Sequence, residues 1–359
     1  MKKPKFHFVA ATAVASMLLL TTACSGSPDA PEPGQMDEVT VNSLEILSLA
    51  PMMVADAKGF FADNNIKVTF SNADIYSRLA VQSQGQLDVN IPGVGGAFFN
   101  AVNQGLNLKA VADRQQYRCA SDNLLVARTD AYNKGLTGVK DLAGKKVAIL
   151  AAGSTTEYWL DRALENVGLT KGDVGEIVTL GYPDTVSALK SGSIDAGFLV
   201  EPLAYQLIKD GDAKRIIAMN EVAPDQQQGL LTMSDKFIND RPEVAARWMA
   251  GWLQGVRYYQ DPANRADVVS IIAERTKVPS ETVDGLYGTD QWPYTDPNGT
   301  VDTATVMSQD GQWLLDNKII TELPDVSKWY EDSVIKAAQK IVGTVEVNRD
   351  CSSINKLGD

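Results

Sequence analysis

The chain has 359 residues, 45 of them acidic against 33 basic, for a formal charge of −12, and its only histidine is His7. A chain this acidic is repelled by nucleic acid and by anionic headgroups, which excludes both as partners. A single histidine also withholds the usual general base and the commonest transition-metal ligand, so no cofactor or metal is expected.

Reading from the N-terminus, Lys2, Lys3 and Lys5 precede an apolar run over 8–20. That run has the length of a signal-peptide core and is too short to span a bilayer as a stable helix. It ends in Leu18-Leu19-Leu20-Thr21-Thr22-Ala23-Cys24, which resembles the lipobox of bacterial lipoproteins, although the leucine usual three residues before the cysteine is displaced to Leu20. Residues 1–23 are expected to be a signal peptide, and Cys24 is expected to carry lipid. The alternative is an ordinary cleaved signal with an incidental cysteine. Residues 24–37, rich in Ser, Pro, Gly and Asp, have nothing to bury and read as a tether. Residues 1–23 hold three lysines and no acids, so their removal takes the charge from −12 to −15 and leaves no histidine. No second run long enough to cross a membrane follows.

With Cys24 assigned to lipid, Cys119 and Cys351 are left. In an oxidising exterior they form one disulfide or stay as two thiols, and the bridge is the expectation.

Past the tether, elements alternate. Strands are expected at 39–44, 66–70, 87–91 and 108–112, with helices at 51–61, 75–83 and 94–103 between them. A second unit repeats the plan: strands at 146–150, 177–180 and 195–200, helices at 155–167, 184–190 and 202–209. In both units a helix ends at a glycine and an apolar-Asp-apolar strand begins at once, around Gly85-Gln86-Leu87-Asp88-Val89 and Gly192-Ser193-Ile194-Asp195-Ala196. From residue 234 the pattern turns helical: 242–260 places Val244, Trp248, Trp252 and Val256 on one face, and helices near 263–275, 280–287, 304–317 and 329–342 follow. Asn298-Gly299-Thr300 matches a glycosylation sequon and equally a plain turn; we read the turn. The alternation implies an α/β fold of two lobes, each a mixed sheet flanked by helices, with extra C-terminal helices. Lobe I is expected over 38–127, lobe II over 128–228, and a return to lobe I with the C-terminal helices over 229–359.

An ordered set of motifs carries a family resemblance. Ala50-Pro51-Met52-Met53-Val54-Ala55 with Lys58-Gly59-Phe60-Phe61, then Asp141-Leu142-Ala143-Gly144-Lys145-Lys146-Val147, then Ser191-Gly192-Ser193-Ile194-Asp195-Ala196-Gly197 through Glu201-Pro202 resemble extracytoplasmic solute-binding proteins. The group is the sulfonate/nitrate/taurine and thiamine-pyrimidine-precursor one, called SsuA/THI5-like or NMT1-like, and the match covers roughly 39–260. The resemblance implies a periplasmic-binding-protein fold, type II-like. Its two crossing strands would lie near 124–127 and 229–232, with the ligand between lobes. It also implies partners: a small-molecule solute, and an ABC permease driven by a cytoplasmic ATPase. The protein is expected to act as a monomer, lipid-anchored on the outer face of the cell membrane.

Ligands of open α/β sheets lie beyond the carboxyl ends of strands. In lobe I that rule selects Ser48, then Pro92, Gly93, Gly95 and Gly96, then Asp113, Arg114 and Gln115, with Arg118 a weaker candidate. In lobe II it selects Ser154, Thr155, Thr156, Tyr182 and Glu201. Two of these loops open helices whose N-terminal amides favour an anion. Arg114 is the expected anion partner. Glu201, if it faces the cleft, calls for a ligand with a donor or positive charge. The glycine run at 93–96 fails the dinucleotide fingerprint, because Phe98 stands at the third glycine's place. No catalytic residue is expected. A pyrimidine-precursor synthase-like enzyme and a ligand-sensing surface lipoprotein are the alternatives. The enzyme alternative lacks its histidine and its cysteine cluster here.

Overall fold

The computed structural model describes residues 35–347, 350–352 and 354–357. The leader, Cys24 and nearly all of the tether lie outside the described residues.

Alternating, β-branched segments form the strands. In chain order, β1 (Asp37–Asn42), β2 (Ile66–Ser71), β3 (Val89–Asn90) and β4 (Leu108–Tyr117) come first. Next come β5 (Asn123–Arg128), β6 (Lys146–Ile149), β7 (Glu176–Thr179), β8 (Ala196–Val200) and β9 (Ala213–Ala218), and β10 (Gln226–Ser234) follows. They build two five-stranded sheets, ordered β2-β1-β3-β10-β4 and β7-β6-β8-β5-β9. In each, one strand runs against its neighbours: β10 against β3 and β4, and β5 against β8 and β9. The architecture is the two-lobed mixed α/β fold read from the sequence.

The repeated Gly-then-Asp phrase marks equivalent places in the two sheets. Gly85 and Gly192 adopt left-handed φ of 70° and 76°, a conformation glycine takes without steric cost. Each then leads into the third strand of its order, β3 or β8. The aspartate does the same work both times. Asp88 Oδ2 accepts from the Thr40 amide of β1 at 2.8 Å, and Asp195 Oδ2 from the Lys146 amide of β6 at 3.0 Å.

The chain leaves the first sheet at Tyr117 and enters the second at Asn123; it returns between Ala218 and Gln226. Residues 124–127 and 229–232 are therefore paired strand residues, and the connections fall before them. Leu124, Leu125, Val126 and Ala127 are all fully buried, as an inner strand requires.

The helix Pro242–Gln260, with proline in its first turn, packs Trp248, Met249, Trp252 and Leu253 onto the first sheet's core, beside Val39, Val41, Met52 and Phe61. A later helical stretch behaves differently. Thr303–Thr305, a π-helical turn Val306–Gly311 and Gln312–Asp316 run on without a break and lie across both lobes. Trp313 Nε1 donates to Asp161 Oδ2 at 2.9 Å on the second lobe, and Asn100 Nδ2 of the first lobe donates to the Ile319 carbonyl at 3.1 Å. One apolar core consequently runs from Phe98 and Phe99 through Trp313 and Leu314 to Trp159 and Leu160. Tyr158 and Trp159 are both part of it. A disulfide joins Cys119, in the first connection, to Cys351 near the C-terminus. At 298–300 the chain makes a turn: Asp296 Oδ1 accepts from the amides of Asn298 and Thr300, and Gly299 has a φ of 71°.

Candidate functional site

Strand direction brings the carboxyl ends of β1, β2, β3 and β4, with the start of β10, to one end of the first sheet. Arg114 sits there on β4, and only 5% of it is exposed. Its Nη2 donates to Gln228 Oε1 at 2.6 Å and its Nη1 to Gln115 Oε1 at 3.3 Å, while Nε has no hydrogen-bond partner among the described residues. Both acceptors are neutral amides, and among the described residues no carboxylate lies within ion-pair distance. Burial pulls the guanidinium's pKa down, and nearby Asp122 opposes that pull. The guanidinium lies flat against the backbone of Gly229: a Cβ there would fall 1.9 Å from Nη2. Only glycine leaves room for it.

From Arg114 a polar chain crosses the floor between lobes. Gln115 Nε2 donates to Asp122 Oδ1 at 2.5 Å, and Asn123 Nδ2 donates to the same oxygen at 2.9 Å. Asn123 Oδ1 accepts from the Tyr182 hydroxyl of the second lobe at 3.5 Å. The Glu201 amide donates to the Asp122 carbonyl at 2.7 Å, and Glu201 Oε2 accepts from the Tyr205 amide at 2.9 Å. Asp122 Oδ2 and Glu201 Oε1 have no hydrogen-bond partner among the described residues. Burial raises both acids, Glu201 to about 8.

Tyr76 completes this group from the first lobe. It is 45% exposed, and its hydroxyl stands 3.3 Å from where a Cβ on Gly93 would be. Burial raises its hydroxyl pKa, while Arg114 lowers it. Tyr182 is raised by burial first, then by Asp122 and Tyr76. The structure thus gathers Arg114, Gln115, Tyr182, Glu201 and Gly93 from the sequence-based set. It adds Tyr76, Asp122, Asn123, Gln228 and Gly229, which the sequence reading missed.

Other expected residues lie elsewhere. Asp113 turns away: its Oδ1 accepts from Gln227 Nε2 at 2.5 Å and its Oδ2 from the Asp296 amide at 2.6 Å, so it fastens the 295–300 loop to β4. Arg118 points to Tyr294, donating to its hydroxyl at 2.9 Å and covering its ring. Pro92 is held by the Leu230 amide donating to its carbonyl. Ser48 is buried in the turn Leu47–Leu49 that opens the helix Ala50–Ala57, at the same sheet end as Arg114.

The expected anion cradle of Gly95, Gly96, Ser154, Thr155 and Thr156 is filled by protein. Ile319 Cγ2 would lie 2.5 Å from a Cβ on Gly96 and 3.2 Å from one on Gly153. Val94, Gly95, Ser154, Thr155, Tyr158, Trp313 and Leu314 close around a space with no room for a water. The second-lobe loop also satisfies itself. Glu157 Oε2 accepts from the Gly153 amide at 2.7 Å, and the Ser154 hydroxyl donates to the Ala151 carbonyl at 2.6 Å. Thr156 Oγ1 accepts from the Leu150 amide at 2.8 Å. A carboxylate of the helix's own first turn already answers the positive helix end.

Burial also holds Asp113 and Asp310 near 8, as it does Glu201. The unfolded chain titrates such groups near 4. Between these values the folded state binds protons that the unfolded state does not, so stability falls as pH rises from about 4 to about 8. Carboxylates with lowered pKa, such as Asp173 and Glu281, act only below that window. A melting temperature highest near pH 5 and declining toward pH 8.5 is expected, and a flat or rising profile contradicts it.

Comparison with known proteins places this geometry among relatives. The profile of the NMT1-like family matches residues 32–273. A putative aliphatic sulfonates-binding protein of Bacillus subtilis (strain 168) is 27% identical over 279 residues, 75% of this chain and 79% of that one. The periplasmic aliphatic sulphonate binding protein SsuA from Escherichia coli has a TM-score of 0.69 at 16% identity, covering 83% of this chain and 92% of the other. The periplasmic nitrate-binding protein NrtA from Synechocystis PCC 6803 gives 0.68 at 15%, covering 86% and 90%. At those identities the structural likeness speaks for the fold.

Proposed function

Since the chain belongs to the NMT1-like family, we propose that its interlobe cleft captures a small anionic organic solute outside the cytoplasm and delivers it to an ABC permease driven by a cytoplasmic ATPase. The observation that carries this reading is Arg114, a buried guanidinium whose Nε has no hydrogen-bond partner among the described residues and whose other side-chain hydrogen bonds go to neutral amides. Burying a cation without a counterion is costly, and an arriving anion offsets that cost. The named relatives, which bind aliphatic sulfonates and nitrate, support an oxyanion as the class. A sulfonate, a nitrate-like ion, a carboxylate and a pyrimidine precursor are the candidates. The protein binds the solute and does not transform it. Hinge closure between lobes is the working motion.

A solute that binds only the folded state raises the melting temperature by mass action, by about 2.7 kcal/mol of stability at a hundredfold excess over Kd. Thermal melting against a panel of sulfonates, nitrate, carboxylates and pyrimidine precursors tests the reading. A flat response across the whole panel overturns it.

Export and anchoring belong to the same proposal. Residues 1–23 are the exporting leader and Cys24 the lipid-bearing residue, and residues 25–36 let the folded body stand clear of the membrane. Mass spectrometry of the membrane fraction is expected to find a thioether lipid on Cys24 at the mature N-terminus. An unmodified cysteine, or a soluble secreted product, removes the anchor and leaves only a secretion signal.

A further inference from the structure

Three buried polar atoms without a hydrogen-bond partner among the described residues fall on one stretch of the cleft floor: Arg114 Nε, Asp122 Oδ2 and Glu201 Oε1. Asp122 and Glu201 are each 1% exposed. Among the described residues neither has a cation within ion-pair distance. The cations that face them are engaged elsewhere: Arg114 bonds to Gln115 and Gln228, and Arg215 pairs with Asp290 and Glu221. A carboxyl buried in this way escapes the cost of an isolated charge by keeping its proton. Hydrogen bonds fix which oxygen carries it. Gln115 and Asn123 both donate to Asp122 Oδ1, and the Tyr205 amide donates to Glu201 Oε2. Those oxygens accept, so the proton belongs on Asp122 Oδ2 and on Glu201 Oε1, where it meets no acceptor among the described residues.

Resting on the solute-binding reading, we infer that Asp122 and Glu201 are solute ligands in their protonated form, each donating its free O–H to the anion that Arg114 meets, so that anion capture is coupled to proton uptake. The donors then belong to the protein, and one oxyanion satisfies all three atoms. A carboxylic acid kept neutral by its setting donates strongly to an oxyanion, whereas the ionised acid repels it. Binding and protonation therefore favour one another. Burial raises both acids, Glu201 to about 8. As pH rises through that value the free protein loses a proton that the complex must regain, and affinity falls. The other titratable groups around the floor do not supply this dependence. Burial raises Tyr76, Tyr117, Tyr182 and Tyr259, which stay protonated, and Asp290 is paired with Arg215. Asp113 also sits near 8, but both its oxygens already accept N–H bonds.

The test is titration calorimetry on the full exported chain from pH 6 to pH 9. Its probes are nitrate, methanesulfonate, benzenesulfonate and acetate, anions that stay ionised across that range. Affinity for those that bind is expected to fall at least about tenfold between the two ends, the loss that one group titrating near 8 produces. Repeating the titration at pH 8.5 in buffers of different ionisation enthalpy should show net proton uptake. Glu201→Gln and Asp122→Asn keep an N–H donor and cannot ionise. Each should bind more tightly than wild type at pH 9, and Glu201→Gln should flatten the profile. Melting curves at each pH confirm folding, and the wild-type profile with its proton uptake decides the matter even if neither variant folds. Constant or rising affinity toward pH 9, no proton uptake, or a profile unmoved in both folded variants overturns the inference and leaves the solute-binding reading standing. Capture of an uncharged pyrimidine alone overturns it too. Binding by no member of the wider melting panel overturns that reading itself.

Discussion

Arg114→Met is expected to lower solute affinity at least about a hundredfold while the protein still folds. Truncating one side of a buried, hydrogen-bonded charge pair costs about 2–5 kcal/mol of binding, and a factor of one hundred is near 2.7 kcal/mol. Stability should move little. Methionine fills a similar volume, and replacing a buried charge by an apolar side chain is often neutral or stabilising. The losses are confined to the two amide acceptors, Gln115 Oε1 and Gln228 Oε1. A melting temperature within a few degrees of wild type, together with loss of binding, is the expected signature. Gly229→Ala should reach the same end by another route, since the added methyl occupies the place of the guanidinium. A folded Arg114→Met protein that binds its solute as tightly as wild type removes this residue from the site.

The second large effect is on stability. Cys119→Ser should cost about 2–5 kcal/mol, the usual range for losing a native disulfide in a secreted domain. The two cysteines are 232 residues apart in sequence, so the bond closes a very long loop of the unfolded chain, though the gain grows only slowly with length. For a chain of this size the expected fall in melting temperature is roughly 3–7 °C. Reductant should lower the wild-type value toward that of the variant. Equal melting temperatures for variant and oxidised wild type contradict the expectation. The bond also has company: Leu357 accepts from Arg215 Nη1 of β9 at 3.1 Å, Asp290 accepts from the Leu357 amide at 3.0 Å, and Arg215 pairs with Asp290 at 2.8 Å. Loss of the covalent tie therefore loosens a C-terminal strap that reaches the second lobe.

Sequence periodicity revealed most strands and the long helix Pro242–Gln260 because each is decided by local burial. The paired Gly-Asp phrases were legible for the same reason: a cap and an adjacent strand are neighbours in sequence. Arg114 was legible as a cation at a strand's carboxyl end. Its setting was not, since Gln228 and Gly229 are more than a hundred residues away and meet it only through the β4–β10 ladder. Asp122 and Asn123 were missed because the connection was sought at 124–127, whose apolar run is an inner strand. A clue was present in Gln226-Gln227-Gln228, a polar run opening an otherwise buried strand at the cleft end. The cradle failed for a different reason. Its loops are shaped as expected, but Ile319, over 160 residues downstream, fills the gap between them, and Glu157 answers the helix end from within. No local pattern encodes either event.

The segment that lies across both lobes gives the molecule an optical reporter. Trp313 stacks edge-on against Tyr158 with ring centroids 5.5 Å apart, and its indole N–H is held by a carboxylate on the second lobe, while the residues just after it rest on the first. Any motion of one lobe against the other must alter the polarity and quenching around that indole. Intrinsic emission can therefore follow solute capture in real time without an attached dye, and Trp313→Phe, which keeps the other five tryptophans, isolates this indole's share of the change.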